Sequence, residues 1–195
     1  MSVLERIACS QNRNDEVPNQ ELAGELAETK NMADIKEVAE NLHNKNKNIQ
    51  NDCIKVLYEI GYINPMLIAD FVLDLLSLLK NKNNRLIWGA MIALSLIADI
   101  KAEEVYNMKD DIYSTIREGS VITVDNGIRV LSKMASVDEK YSREVFPYLI
   151  HHIKTYMTRQ IHQHAESMLI AVNSANKNEF INALKYREDQ MSSSQ

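Results

Sequence analysis

The chain has 195 residues, of which 45% are hydrophobic and 25% are charged, so it is long enough to bury the core of one globular domain. Five glycines and three prolines are too few for the many turns of an all-β fold, which favours long helices. The formal net charge of −5 excludes a general attraction to nucleic acid or anionic membranes and leaves room only for a local basic patch.

The first 18 residues predict an N-terminal segment made of a short helix, Val3–Ser10, and a polar linker. No signal-peptide core precedes it, and no apolar run reaches the roughly 18 residues that a membrane helix needs. Together with the two cysteines, Cys9 and Cys53, this predicts a reduced, cytoplasmic protein that does not associate with membranes. The serine-rich stretch 190–195 is predicted to be a disordered tail.

Residues 19–189 carry one pattern that recurs about every 37 residues (94 − 57 = 37 and 131 − 94 = 37). Within each copy the apolar positions share one helical face, since residues four, eight and eleven apart lie on one side of an α-helix. One column holds only leucine and another only small residues, which predicts a close crossing by a second helix. The columns are Leu57, Leu94, Leu131 and Leu169, and Cys53, Ala90, Gly127 and Ala165.

A second amphipathic segment follows each copy in the same register. An earlier helix at Asn19–Thr29 and a closing one around Phe180 and Leu184 bring the total to about four to five helix pairs. The turns within the pairs are predicted at residues 61–65, 99–104, 136–142 and 173–178. The aliphatic column of the second segments is Val38, Leu75, Ile112 and Leu149.

This two-helix unit resembles the HEAT and armadillo family of α-solenoids. The resemblance is carried by Ile49, Cys53, Leu57, Ile60 and Gly61 and by their counterparts in the later copies. It implies an all-α, right-handed superhelix whose second helices line a concave face. The chain departs from the family where an arginine often follows the opening aliphatic residue, so its stacking is expected to depend more on apolar contacts. Those positions hold Gln50, Ile87, Val124 and His162.

The helix predicted over residues 85–100 carries Trp88, Ile92 and Leu96 at positions where the flanking repeats hold polar side chains. Their spacing of four places them on one face, so an exposed apolar stripe is predicted. Such a stripe suits a protein partner or a homodimer. Alternatively, the N-terminal segment folds back through Val3, Leu4 and Ile7 to cover it, or the stripe is simply exposed.

One column of the second helices is acidic in its first three members, Glu37, Asp74 and Asp111. On the concave face implied by the resemblance, these carboxylates predict an acidic groove that suits a basic peptide or a basic helix. An ordinary solvated helix face is the other interpretation. The favoured function is therefore a non-catalytic protein-interaction or scaffold module.

Basic residues gather near the ends of the second helices and predict a cationic edge. Charge pairing with the helix C-termini is its simplest explanation. The alternative function is nucleic-acid binding or DNA repair along this edge, although the net charge of −5 argues against nucleic acid as the partner. The edge comprises Lys45, Lys47, Lys80, Lys82, Arg85 and Arg117.

Four histidines lie between positions 151 and 164, and we interpret them as a surface cluster at a turn. The alternative is a metal-dependent enzyme whose site takes ligands from both sides of that turn, but neither a metal nor a cofactor is the favoured prediction. Phosphate loops, the GxSxG, CxxC and HExxH motifs are absent from the sequence, and Cys53 falls on a core face, so no enzyme is predicted. The histidines are His151, His152, His162 and His164.

Overall fold

A computed structural model describes residues 2–190, and residues 191–195 of the predicted tail lie outside the described residues. Regular structure in the described part is helical throughout, which confirms the all-α prediction. The α-helices are α1 (Val17–Thr29), α2 (Met32–Glu40), α3 (Lys47–Ile63), α4 (Val72–Ser77), α5 (Asn84–Ile97), α6 (Ala102–Asn107), α7 (Lys109–Glu118), α8 (Val121–Val137), α9 (Glu139–Thr155), α10 (Ile161–Met168) and α11 (Lys177–Arg187).

These helices stack as pairs in two layers. The first helices α1, α3, α5, α8 and α10 contact one another in chain order. The second layer holds α2, the short turns and helix α4 of residues 65–80, α6 with α7, α9 and α11. In the first three pairs, the second helix also packs on the first helix of the next pair: α2 on α3, α4 on α5, and α7 on α8. Contacts between neighbouring pairs build the whole core, as expected of a repeat solenoid.

Polar residues of one repeat column cap the N-termini of three of the first helices. Asn46, Asn83 and Ser120 are spaced at 37 residues (83 − 46 and 120 − 83), and each side chain accepts a hydrogen bond from a backbone N–H in the first turn of α3, α5 or α8. An N-cap of this kind stabilises a helix by about 1 kcal/mol. The asparagine-rich connections between pairs are thus helix caps.

The core follows the predicted columns up to the last pair. Leu57, Leu94 and Leu131 are fully buried, and the small residue Gly127 lies where Ile116 of α7 crosses α8. A Cβ atom added at Gly127 would come within 2.4 Å of Ile116 Cγ1, which confirms the predicted close crossing. Leu169, however, is 57% exposed, because α10 ends at Met168 and a 3-10 turn rotates Leu169 away from the core.

The turn predicted within residues 136–142 is present and tighter than expected, because α8 continues to Val137 and Asp138 alone separates it from α9, whose first turn it caps. One local prediction was wrong. The N-terminal segment is not one helix but two 3-10 turns, Val3–Arg6 and Ala8–Gln11, which pack on α1, α2 and α3. No helix of residues 2–190 combines the length and apolarity needed to span a membrane.

Candidate functional site

The acidic column lies in the second layer, but its members have different surroundings. Asp74 on α4 is exposed. Asp111 on α7 lies 2.9 Å from the ammonium of Lys80 in the preceding pair. Glu37 on α2 is already occupied, because its carboxylate accepts hydrogen bonds from the Ser2 hydroxyl and the Val3 backbone N–H. The free part of this acidic surface therefore begins at α4.

Stacked tyrosines join the second helices of the third and fourth pairs. Tyr106 on α6 and Tyr141 on α9 stack with their ring centroids 4.3 Å apart. Tyr113 on α7 and Tyr148 on α9 stack at 4.2 Å. In both pairs the ring planes differ by 26°, so the rings form nearly parallel platforms between adjacent repeats.

Two ammonium groups of the chain already lie against the Tyr106 ring, and that of Lys140 is 5.0 Å from its centroid. The Nζ atom of Lys109 lies 4.4 Å from the centroid of the Tyr106 ring and 3.7 Å from a carboxylate oxygen of Glu144. A cation held over an aromatic face and beside a carboxylate is stabilised by both groups. The second layer thus combines the two chemical groups that recognise lysine and arginine side chains.

Three helices near the C-terminal end are linked by a relay of polar side chains. Asp125 Oδ1 on α8 lies 2.8 Å from His164 Nε2 on α10, and His164 Nδ1 lies 3.0 Å from His152 Nε2 on α9. His164 is fully buried and His152 is 7% exposed. The predicted surface cluster is therefore wrong for these two histidines, which meet because α9 and α10 both pack on α8. His151 and His162 are exposed.

The hydrogen bonds of the relay determine the tautomers of both rings. The Asp125 carboxylate can only accept, so Nε2 of His164 donates to it, and Nδ1 of the neutral ring accepts from His152. His152 consequently carries its proton on Nε2 and has an acceptor at Nδ1. Burial lowers the pKa of His152 to about 3 and also lowers the pKa of His164, although Asp125 opposes the second effect. Both rings are neutral at pH 7.

A cavity of about 530 Å³ opens between α7 and α9 beside this relay. Its walls include the stacked Tyr113 and Tyr148 together with His152, whose ring stacks on Tyr156 at 4.5 Å. Arg117 is the charged residue of the lining. Within residues 2–190, no group of three His, Cys, Asp or Glu side chains is arranged to hold a metal ion.

The stripe of Trp88, Ile92 and Leu96 is not an exposed surface, and that prediction was wrong. Ile92 is 8% exposed, and Trp88 and Leu96 are half-buried against the core. The Trp88 ring lies 6.1 Å from that of Tyr58 on α3. The stripe occupies the seam between the first helices, where even the flanking Lys55 is only 5% exposed.

The N-terminal segment folds back, but over the first pair instead of the stripe. Val3 and Ile7 are buried against that pair. The buried amide of Asn19 joins the segment to α3: its oxygen accepts from the Ala8 N–H at 3.0 Å, and its nitrogen donates to Asp52 at 2.9 Å. The segment thus closes the first end of the solenoid.

The basic edge lies near the ends of the second helices, as predicted, and part of it is neutralised. Lys80 pairs with Asp111, and the Arg85 guanidinium lies 3.2 Å from Glu16. Five members of the edge are exposed: Lys45, Lys47, Lys80, Lys82 and Arg117.

Sequence reasoning missed the tyrosine platforms and the relay. A signal for the platforms exists, since both stacked pairs are 35 residues apart (141 − 106 and 148 − 113), close to the repeat length. A weaker signal exists for the relay, because His164 immediately precedes Ala165 of the small-residue column and His152 immediately precedes the apolar Ile153. No sequence signal pointed to Asp125, because it lies in the same column as Trp88, and we interpreted that column as outward-facing.

Comparison with known proteins identifies the fold. No protein-family model and no curated protein matches the chain. Among solved structures, an engineered protein is 15% identical and covers 100% of this chain and 91% of its own length, with a TM-score of 0.69. A designed armadillo repeat protein in complex with the peptide (KR)4 is 13% identical, covers 90% of this chain and 80% of its own, and has a TM-score of 0.65.

The karyopherin Kap121p bound to Pho4p is 14% identical, with a TM-score of 0.64. It matches 96% of this chain, which spans 21% of the length of Kap121p. Likeness at these identities is a likeness of fold. The chain therefore has the all-α repeat superhelix of the HEAT and armadillo type, which confirms the resemblance found in the repeat columns.

Proposed function

We propose that this chain is a non-catalytic protein-interaction module whose second-helix face binds a basic, extended segment of a protein partner. The observation that carries the proposal is the alternation of carboxylates and stacked tyrosines across α4, α6, α7 and α9. Carboxylates form charge-assisted hydrogen bonds with lysine and arginine, and aromatic faces attract the same cations.

The contacts of Lys109 show how such a segment would bind. This side chain already lies between the Tyr106 ring and the Glu144 carboxylate. Packed helices lie about 8–10 Å apart and an extended chain advances about 3.3 Å per residue, so every third residue of a bound peptide would meet a new repeat. The exposed carboxylates of Asp74 and Asp110 supply further positions along this path.

The designed armadillo repeat protein with the same fold supports the choice of ligand, since its partner is a peptide of alternating lysine and arginine. Here the bound cation must compete with ion pairs inside the chain, including Lys80 with Asp111 and Lys101 with Asp70. One partner of each pair, Lys80 or Asp70, is largely exposed to solvent, so each pair contributes about 1 kcal/mol and can be exchanged for a partner's side chain. We therefore expect moderate affinity that decreases with ionic strength.

The test is a titration of a fluorescently labelled (KR)4 peptide followed by anisotropy at low salt. A triple variant, Asp74→Asn, Asp110→Asn and Glu144→Gln, removes three exposed carboxylates of the second layer. We expect its affinity to be at least about tenfold lower, since each carboxylate contributes a charge-assisted contact.

The matched control removes the same charge elsewhere, with Glu5→Gln, Glu21→Gln and Glu28→Gln, all exposed and located in the N-terminal segment or on α1. It should change the affinity by no more than about twofold, because distant charges are screened. Equal losses in the two triple variants would show that net charge alone attracts the peptide and would refute a groove.

The second candidate function is phosphate binding along the basic edge, favoured by the exposure of Lys45, Lys47, Lys82 and Arg117. A labelled DNA duplex titrated under the same conditions tests it. Binding that is lost in the variant Lys45→Gln, Lys47→Gln and Lys82→Gln would support this candidate. The salt dependence would also fall with each phosphate contact removed.

A further inference from the structure

The cavity between α7 and α9 differs chemically from the acidic surface that continues toward the beginning of the same helices. Rings form most of its wall: Tyr113 stacks on Tyr148, and Tyr156 stacks on His152, with centroid separations of 4.2 and 4.5 Å. Its volume of about 530 Å³ lies within the range of sites that bind small molecules. Flat walls of this kind favour a flat ligand, because stacked rings maximise their contact area.

The polar groups of the cavity favour an anion. Its lining consists of rings, one aliphatic and one hydroxyl side chain, the exposed imidazole of His151 and the guanidinium of Arg117. Burial raises the pKa of Tyr113 to about 12 and also raises that of Tyr148, so both phenols are neutral at pH 7 and can donate hydrogen bonds. Arg117 acts electrostatically on Tyr148, and Asp110 and Glu144, which act on Tyr113, lie outside the lining. The charge within the lining is therefore positive.

The buried relay fixes the inner wall of the cavity. The Asp125 carboxylate orients His164, and His164 orients His152 through hydrogen bonds of 2.8 and 3.0 Å. The ring of His152 is also held by its stacking on Tyr156. A buried network of this kind presents one defined tautomer, with an acceptor at Nδ1 of His152. A ligand hydroxyl is the complementary donor.

We propose that this cavity binds a small aromatic carboxylic acid, with its ring against the tyrosines and its carboxylate on the Arg117 guanidinium. A hydroxyl on the ring would donate to His152. This site adjoins the peptide-binding face and shares the Tyr113–Tyr148 stack with it, but its lining carries the positive charge of Arg117 and its ligand is a small molecule. Arginine suits the carboxylate because its planar donors match the two carboxylate oxygens.

The experiment uses 4-hydroxybenzoate as the probe and the full chain as the receptor, followed by NMR of the histidine and tyrosine ring C–H groups. We expect saturable shifts of the His152 and Tyr113 resonances. Arg117→Gln should weaken binding by at least about tenfold, as expected for the loss of one charge-assisted contact. The matched control Lys154→Gln removes another exposed cation near the end of α9 and should change binding by less than about twofold.

Two analogues test the charge of the ligand while its ring is kept. The neutral 4-hydroxybenzyl alcohol and the cationic 4-hydroxybenzylamine keep the ring and hydroxyl, and both should bind at least about tenfold more weakly than the acid. The proposal would be overturned if the amine bound as tightly as the acid, or if Arg117→Gln left the affinity unchanged. It would also be overturned if the His152 resonances did not shift at about 10 mM probe, a concentration far above the Kd of a specific site. Circular dichroism of Arg117→Gln verifies that the variant remains folded.

Discussion

The first helix pair and the last two pairs of this solenoid differ in the chemistry of their polar contacts. At the first pair, charged side chains hold the N-terminal segment in place: Glu37 and Asp52 accept its backbone N–H groups, and Lys55 lies 2.6 Å from both Glu16 and Glu59. At the other end, the buried guanidinium of Arg187 donates to backbone carbonyls, two neutral imidazoles connect α9 and α10 to Asp125, and stacked rings surround a cavity.

This difference indicates where ligands can bind. The chain uses its own segment to occupy Glu37, so the first repeat has no free acidic column. From α4 to α9 the same face retains exposed carboxylates and tyrosine platforms. The proposed function therefore assigns structural closure to one end and recognition to the other, although the same core columns run through both.

The largest effect is expected when the apolar contacts between the N-terminal segment and the first helix pair are removed. Ile7 is fully buried, and Ile7→Ala should lower the free energy of unfolding by about 2–4 kcal/mol, because it loses apolar burial and creates a cavity. Urea denaturation measures the change. Met157→Ala is the control near the other end, where the side chain is 55% exposed, and it should have little effect. A small effect of Ile7→Ala would mean that the segment does not close the solenoid.

Low pH should destabilise the last two helix pairs, which contain the histidine relay. Folding lowers the pKa of His152 from 6.5 to about 3, so between these values the unfolded chain binds more protons and the free energy of unfolding falls as the pH falls. Between pH 7 and pH 4.5 we expect a loss on the order of 2 kcal/mol from this residue. His152→Gln keeps a donor for His164 and removes the titration. Its pH dependence should be flatter than that of the wild type, and identical curves would contradict the neutral relay.

A glycine substitution in each region sharpens the packing comparison. Gly127→Ala should lower the free energy of unfolding by about 1–2 kcal/mol, because its Cβ would overlap Ile116 even after a gain in helix propensity. Gly24→Ala in α1 meets no heavy atom within 4 Å and should raise it by up to about 1 kcal/mol. Thermal unfolding distinguishes the expected destabilisation by Gly127→Ala from the expected stabilisation by Gly24→Ala. Stabilisation by both substitutions would show that α7 and α8 do not cross closely.

Much of the fold could be predicted because it is encoded locally and repeatedly. The columns of Leu57 and Val38 recur in the same register, and each column needs only one helical face to be recognised. The exception at Leu169 follows from where α10 ends, which depends on packing at the last pair. Position within a repeat therefore predicts burial well in the middle of the array and less well at its end.

The functional surfaces were harder to predict, because they depend on side chains from different repeats. Trp88 has an apolar side chain in an otherwise polar column, yet the neighbouring first helices half-bury it. Lys55 has a charged side chain in such a column, yet it is buried because Glu16, from a distant part of the sequence, pairs with it. The relay requires Asp125, and only the three-dimensional arrangement of α8, α9 and α10 brings it to His164.

The position of a bound peptide tests the central proposal most directly. A (KR)4 peptide carrying a nitroxide spin label should broaden the ring resonances of Tyr106 and Tyr113 in the second layer. It should leave the indole N–H of Trp88, the one tryptophan of the chain, sharp, because Trp88 lies in the layer of first helices. Broadening of Trp88 with sharp tyrosine resonances would contradict recognition by the second-helix face and would place the partner on the first-helix layer.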